Sequence, residues 1–256
     1  MKGQVTVWII LALILIAAIL IFMLSLNEEG VNFLPRGASE FSVESYLSNC
    51  IQLEVEKATS IMLPQGGFVS PTNYRIYNKT SVAYICETKS YFEPCINQHP
   101  VLIENMEQEI LQFISPGVGV CLDELEYEIE SRGGQILFDS GTFEMDVELE
   151  FDEIVIKLNR PIEIIEKESQ RSFNEFVFYY DSSAYNLAII AQEIANQEAS
   201  FCYFETTGYG LAYPRYSVTR KTLSDQSKIY IMADKVRDET MMVAVRSCAL
   251  PEGMPG

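Results

Sequence analysis

Six cysteines, one histidine and 36 carboxylates are the side chains of this chain with most scope for chemistry. Cys50, Cys86, Cys95, Cys121, Cys202 and Cys248 include no C-x-x-C pair, and His99 has no cysteine at finger-like spacing, so a zinc site is not expected. An even set of cysteines, all placed after a long apolar segment, reads instead as three disulfides in an oxidising compartment, with buried free thiols as the alternative. Of the fifteen pairings that six cysteines allow, the order of elements favours three. These are Cys86 with Cys95 across a short loop, Cys50 with Cys121 between two helices, and Cys202 with Cys248 between late strands.

Catalytic constellations are hard to assemble. A Ser-His-Asp triad would have to use His99, beside Pro100, and no G-x-S-x-G elbow accompanies it. Gly66-Gly67 and Gly133-Gly134 lack the partners of a phosphate loop, and carboxylate pairs of glycosidase type arise by chance among so many acids. The acidic run Asp123–Glu130 contains no Asp-x-Asp-x-Asp-Gly loop and reads as a solvated helix face, not a calcium site. The expectation is a protein that is not an enzyme and holds no cofactor or metal. Contact chemistry remains. Glu144, Asp146, Glu148 and Glu150 would line one face of a strand and offer a field to a cationic partner. Tyr209, Tyr213 and Tyr216 would stand in a loop and offer rings and hydroxyls to a protein or glycan, unless they simply cover the core. A formal charge of −18 argues against nucleic acid as a partner.

The element that positions everything else is the uncharged run Gln4–Leu26. At about 1.5 Å per residue it spans about 34 Å, enough for a transmembrane helix through a lipid bilayer. Lys2 precedes it and Glu28 and Glu29 follow it, so the amino terminus faces the cytoplasm and the rest lies outside the cell. A cleaved secretory signal would have a shorter apolar core and a small-x-small site, which Ser25-Leu26-Asn27 does not supply. Asn78-Lys79-Thr80 is a glycosylation sequon, consistent with an exposed extracellular turn.

The chain therefore divides into an anchor (1–27), a stalk (28–39) containing Gly30, Pro35 and Gly37, a helical part with a short hairpin (40–132) and a β-rich part with one helix (133–256). Apolar residues at three- and four-residue steps predict helices from Ser42 to Met62, from Val101 to a stop at Pro116-Gly117, and again through Leu122–Ile129. Tyr74–Ile85 suits two strands around Asn78. Phe143–Asp152 alternates apolar and acidic residues throughout and predicts a half-buried strand. Gln135–Phe138 should form a hairpin with it through Asp139-Ser140-Gly141, Ile154–Leu158 should follow a turn at Asp152-Glu153, and Pro161 should confine Ile162–Ile165 to an edge or short strand. A strand over Phe173–Tyr180, a helix capped at Asp181-Ser182-Ser183, and strands over Phe201–Thr206, Lys228–Met232 and Thr240–Cys248 complete the prediction. The fold class is α+β, with antiparallel sheet, three to four helices and disulfide staples.

Lys2-Gly3-Gln4-Val5-Thr6, followed directly by the apolar run, resembles the archaeal class III signal peptide of type IV pilin-like proteins. That resemblance implies cleavage between Gly3 and Gln4. At the fifth position after the cut, where the family has Glu, this chain has Trp8. The stretches Cys50–Gly67, Ile154–Ile164 and Met241–Arg246 are similar to ectodomains of uncharacterised membrane-anchored proteins from small-genome archaea, which implies an architecture and no activity. Together these features point to a single-pass cell-surface protein with a structural or binding ectodomain, with protein, glycan or a second copy as partner. The alternatives are a pilin-like filament subunit and a membrane-tethered extracellular hydrolase. Mass spectrometry of the mature amino terminus separates processing routes: Met1 is expected for a plain anchor because Trp8 replaces the pairing carboxylate, and Gln4 in purified filaments would instead establish the subunit reading.

Overall fold

The structure, a computed structural model, describes residues 41–90, 93–138, 143–166 and 169–248. The predicted span 4–26, the Gly3/Gln4 site and the stalk lie outside the described residues. Among the described residues no helix is long and apolar enough to cross a membrane. The described residues from Val43 onward form one compact unit.

Helix α1 (Val43–Met62) buries Val43, Leu47, Ile51, Val55, Ala58 and Met62, the face its spacing predicts. Gly66 and Gly67 then turn the chain at φ of 83° and 91°, and a Cβ on Gly66 would stand 2.9 Å from the Cβ of Ala83. Only glycine satisfies both demands. Strands β1 (Tyr74–Tyr77) and β2 (Thr80–Glu87) form the expected hairpin, with Asn78 (φ 48°) and Lys79 (φ 71°) as a tight two-residue turn. The sequon asparagine is therefore exposed at a hairpin tip.

The two predicted helices after Pro100 are one. Helix α2 runs unbroken over Leu102–Ser131 with Pro116 inside it. An interior proline costs a helix about 3 kcal/mol, yet the buried stripe Leu102, Met106, Ile110, Ile114, Val118, Leu122, Leu125 and Ile129 passes through that position without changing phase. Packing of this continuous face overrides the breaker. Gly117 serves a different purpose: a Cβ there would meet the Glu54 side chain at 2.6 Å, so its absence lets α1 approach. Cys50–Cys121 joins the two helices where they touch, with Cα atoms 6.0 Å apart.

Two sheets complete the fold. The first has the order β1, β2, β10 (Glu239–Arg246), β9 (Lys228–Asp234), β8 (Tyr216–Thr222), with the short β3 (Ile96–Asn97) beside β2. It is mixed, not purely antiparallel, because β2 and β10 pair in parallel. Cys86–Cys95 staples β2 to the segment entering β3. The second sheet holds β4 (Gln135–Phe138), β5 (Glu144–Glu150), β6 (Glu153–Glu166) and β7 (Ser169–Asp181). Here the expected β4–β5 hairpin is absent. Long β6 accepts β5 along Glu153–Asn159 and β4 along Ile162–Ile165, while β7 takes its other edge. Pro161 thus sits in a central strand, where the register with β7 shifts between Asn159 and Ile162, so its missing N–H removes no ladder bond. The turn predicted at residues 139–141 lies outside the described residues.

Helix α3 (Ala184–Phe201) follows Ser183 as predicted and packs on β2, β9 and β10. The predicted strand over Phe201–Thr206 does not form. Cys202 leaves α3 in a left-handed conformation, and a short helix, α4 (Thr206–Ala212), begins after Glu205, whose carboxylate accepts from the Thr207 and Gly208 N–H groups. Cys202–Cys248 accordingly joins a helix end to the chain after β10, not two strands. Strand β8, absent from the prediction, is a polar edge strand whose second half is exposed. Beneath α3, fully buried Glu198 accepts from Lys228 Nζ at 2.7 Å and 2.9 Å and from the Tyr230 hydroxyl, and burial pushes the Lys228 pKa down.

The disulfides close loops of very different length, with separations of 71 residues for Cys50–Cys121 and 9 for Cys86–Cys95. Chain entropy predicts a loss of about 4 kcal/mol for Cys121→Ala and about 2.5 kcal/mol for Cys95→Ala. Urea denaturation of the two variants should show that order, and equal shifts would rule out loop closure as the source.

Candidate functional site

Among the described residues, a network of two arginines and three aspartates centres on Arg215, immediately before β8. Its guanidinium donates to Asp234 Oδ2 from Nε (2.9 Å) and Nη2 (2.6 Å), and to Asp152 from Nη1 (2.8 Å) and Nη2 (2.5 Å). Asp152 occupies the β5–β6 turn at φ 70°, and Asp234 ends β9 with a side chain that is 0% exposed. Arg237, in the β9–β10 turn, adds a second cation 3.1 Å from Asp152 and lies 3.3 Å from Asp181 at the end of β7. The start of α3 closes the network. Ser183 Oγ donates to Asp234 at 2.5 Å, and Asn186 Nδ2 donates to Asp152 (2.6 Å) and to the Tyr216 hydroxyl (2.8 Å). Glu239 accepts from Ser182 Oγ at 3.1 Å and from the Ser183 N–H.

Burial opposes ionisation of Asp234, but the hydrogen bonds from Arg215, Ser183 and the Val236 N–H outweigh it and hold the carboxyl well below the usual range. The Arg215 hydrogen bonds likewise lower Asp152. Both groups are anions held by cations at neutral pH.

What this network does structurally is fix three loops beside one another, and each presents an apolar side chain to water. Phe151 of the β5–β6 turn is 69% exposed, Tyr213 before Arg215 is 53% exposed, and Val236 of the β9–β10 turn is 72% exposed. Phe151 was expected on the buried side of its strand. It is not, because β5 ends at Glu150 and the two-residue turn takes Phe151 and Asp152. Its ring centroid lies 6.0 Å from the Arg215 guanidinium carbon. Lys235 ties the other two loops, donating its N–H to Arg215 O at 3.0 Å and its ammonium to Pro214 O at 2.7 Å.

The residues singled out from sequence are distributed differently. Of the three tyrosines only Tyr213 belongs to the exposed loop surface. Tyr209 is half-buried on α4, with its ring 5.4 Å from Phe204 and 4.8 Å from Tyr213, and burial raises its hydroxyl to about 12. Tyr216 begins β8 and is engaged by Asn186. Glu144, Asp146, Glu148 and Glu150 do lie on one side of β5, opposite the inward Val147 and Leu149. Their field is locally offset, since Lys157 on β6 reaches Glu148 at 2.5 Å. Glu107 of α2 stands near them, accepting from the Leu149 N–H at 2.9 Å, and burial first, then Glu104, Asp146 and Glu148, raise its pKa. His99 packs its ring 4.5 Å from Phe68, and burial lowers its pKa. Asp152, Arg215, Asp234 and Arg237 were missed. Only a lone Pro-Arg-Tyr among tyrosines hinted at them.

Comparisons with protein-family models, with curated proteins and with solved structures find no match to this chain. The surface is read from its own residues.

Arg215→Met leaves Asp234 buried without its cation, and a loss of about 3–5 kcal/mol is expected at neutral pH. Because Asp152 and Asp234 are held below their unfolded values, the stabilisation is present above about pH 4 and is lost as pH falls through the folded pKa values. The gap in urea stability between wild type and variant should therefore narrow from pH 7 to pH 3, and a constant gap would show that the ion pairs do not carry it.

Proposed function

We propose that the chain is a single-pass membrane-anchored cell-surface protein, held in the bilayer by residues 4–26 with its amino terminus in the cytoplasm, whose ectodomain works by contact and not by turnover. The observation that carries this reading is the three-loop surface, where Phe151, Tyr213 and Val236 are exposed on turns locked by a partly buried charge network. Loops set on a rigid support are where binding side chains concentrate. Rings presented in advance of contact lose little conformational entropy on binding, and the polar and charged neighbours of this patch suit the rim of an interface. The partner class is a protein or glycan of the cell surface. The sequon at Asn78 sits at an exposed hairpin tip, which is compatible with an extracellular domain.

Protease treatment of intact cells should remove the domain, and protection would refute the topology. For the contact surface, the full chain in lipid nanodiscs would be set against surface extracts and a glycan array beside a variant carrying Phe151→Ser, Tyr213→Ser and Val236→Ser. All three side chains are exposed, so the unfolding midpoint should hold while recovery of the specific partner falls about tenfold or more. Equal recovery by both proteins would remove the loop surface from the reading.

A further inference from the structure

The end of β7 borders a cleft that shares Asp181, Ser182 and Glu239 with the charge network but none of Phe151, Tyr213 and Val236. It has a volume of about 460 Å³ and separates α1 from the second sheet, with Gln52, Glu56, Tyr179, Asp181, Ser182 and Glu239 among its walls. One wall is sheet backbone. Among the described residues β7 pairs only with β6, so its other edge has no strand partner. The Ser182 N–H donates to Asp152 O at 3.1 Å, on the β6 side. Backbone groups alternate along a strand, so the N–H and C=O of Val177, Tyr179 and Asp181 point away from β6 along the free edge that runs into the cleft. Long unpaired edges are templates for another extended chain.

The side chains around the cleft define what that chain carries. Among the described residues, Glu56, Asp181 and Glu239 are its carboxylates and no lysine, arginine or histidine lines it. Glu56 accepts from Gln52 Nε2 at 2.8 Å, Glu239 from Ser182 Oγ and the Ser183 N–H, and Asp181 from Arg237 only at 3.3 Å. Tyr179 stands at the cleft 64% exposed. Anionic oxygens lining a cleft are complementary to an ammonium or guanidinium group. We infer that this cleft binds an extended peptide that adds as a strand to the free edge of β7 and directs a lysine or arginine side chain towards Glu56 and Glu239. Main-chain bonds to β7 hold the peptide. The alternation of its side chains sends one set towards α1 and the carboxylates and the other towards Tyr179.

The test uses the disulfide-intact full chain in nanodiscs and a labelled Thr/Val peptide of about eight residues with one central lysine, followed by fluorescence anisotropy. Saturable binding is expected, with glutamate in place of the lysine weakening it about tenfold or more. N-methylation of the alternate amides that face β7 should abolish binding, whereas methylation of the other set should not. On the protein, Glu56→Lys on the exposed helix face should weaken the lysine peptide. Val177→Pro should block the edge, because its N–H points away from the ladder with β6. The loop-surface triple variant should bind the peptide like wild type. Several results would overturn the inference: no saturable binding, indifference to N-methylation, equal binding of lysine amide alone, loss of binding in the loop variant, or a dimer dissolved by Val177→Pro that ignores the peptide. The methylation arm stays decisive on the wild-type protein even if Val177→Pro fails to fold.

Discussion

Asp234 is a carboxylate with no exposed side-chain surface in a chain that already has twice as many acids as bases, and its ionisation depends on Arg215. That pairing organises the fold. The same guanidinium reaches Asp152 on the second sheet, so one side chain closes the junction between the sheets, and Ser183 and Asn186 add the start of α3 to it. A buried charge pair seldom adds much stability compared with well-packed apolar residues, but removing one member is costly. Its effect is to admit one arrangement of four chain segments and to penalise others, which suits loops whose tips must hold position.

The other buried ion pair follows the same logic at the opposite end of α3. Glu198 is enclosed with Lys228 and the Tyr230 hydroxyl, and Lys228 also donates to Cys202 O at 2.6 Å. A disulfide leaves the chain at that same residue, joining Cys202 to Cys248. Helix α3 is thus held at its start by carboxylates that accept from its serines and at its end by a lysine and a covalent link. Its alanine-rich buried face, with Ala184, Ala188, Ala191 and Ala195, lets it lie close to the first sheet between those two fixings.

Much of the fold was legible because local pattern and tertiary need agreed. Helix α1 shows its buried face at regular steps, the acid-apolar alternation of β5 admits only a strand, and Asn78-Lys79 suits a tight turn. The three cysteine pairs followed once neighbouring elements were placed, although the setting of Cys202 was misread. Failures came where a long-range term outweighed a local one. Pro116-Gly117 reads as a helix end, but the stripe from Leu102 to Ile129 is carried by one unbroken helix. Gln135–Phe138 lies next to β5 in sequence, yet it pairs with β6 because that strand is long enough to serve two partners on one edge. The residues after Cys202 are aromatic enough for a strand, but Glu205 caps a helix turn. The Arg215 network was invisible because its acids and bases come from positions 152, 181, 215, 234 and 237, and no periodicity links positions so far apart.

The arrangement around Pro161 also marks where the second sheet changes partners along β6. Helix α2 is 30 residues long, about 45 Å, and both β4 and β5 pack along it. At residues 159–162 β6 shifts register with β7 on one side and passes from β5 to β4 on the other. Bulged strands bend, and each half can keep its own twist. The proline that would interrupt an ordinary central strand sits at that register shift.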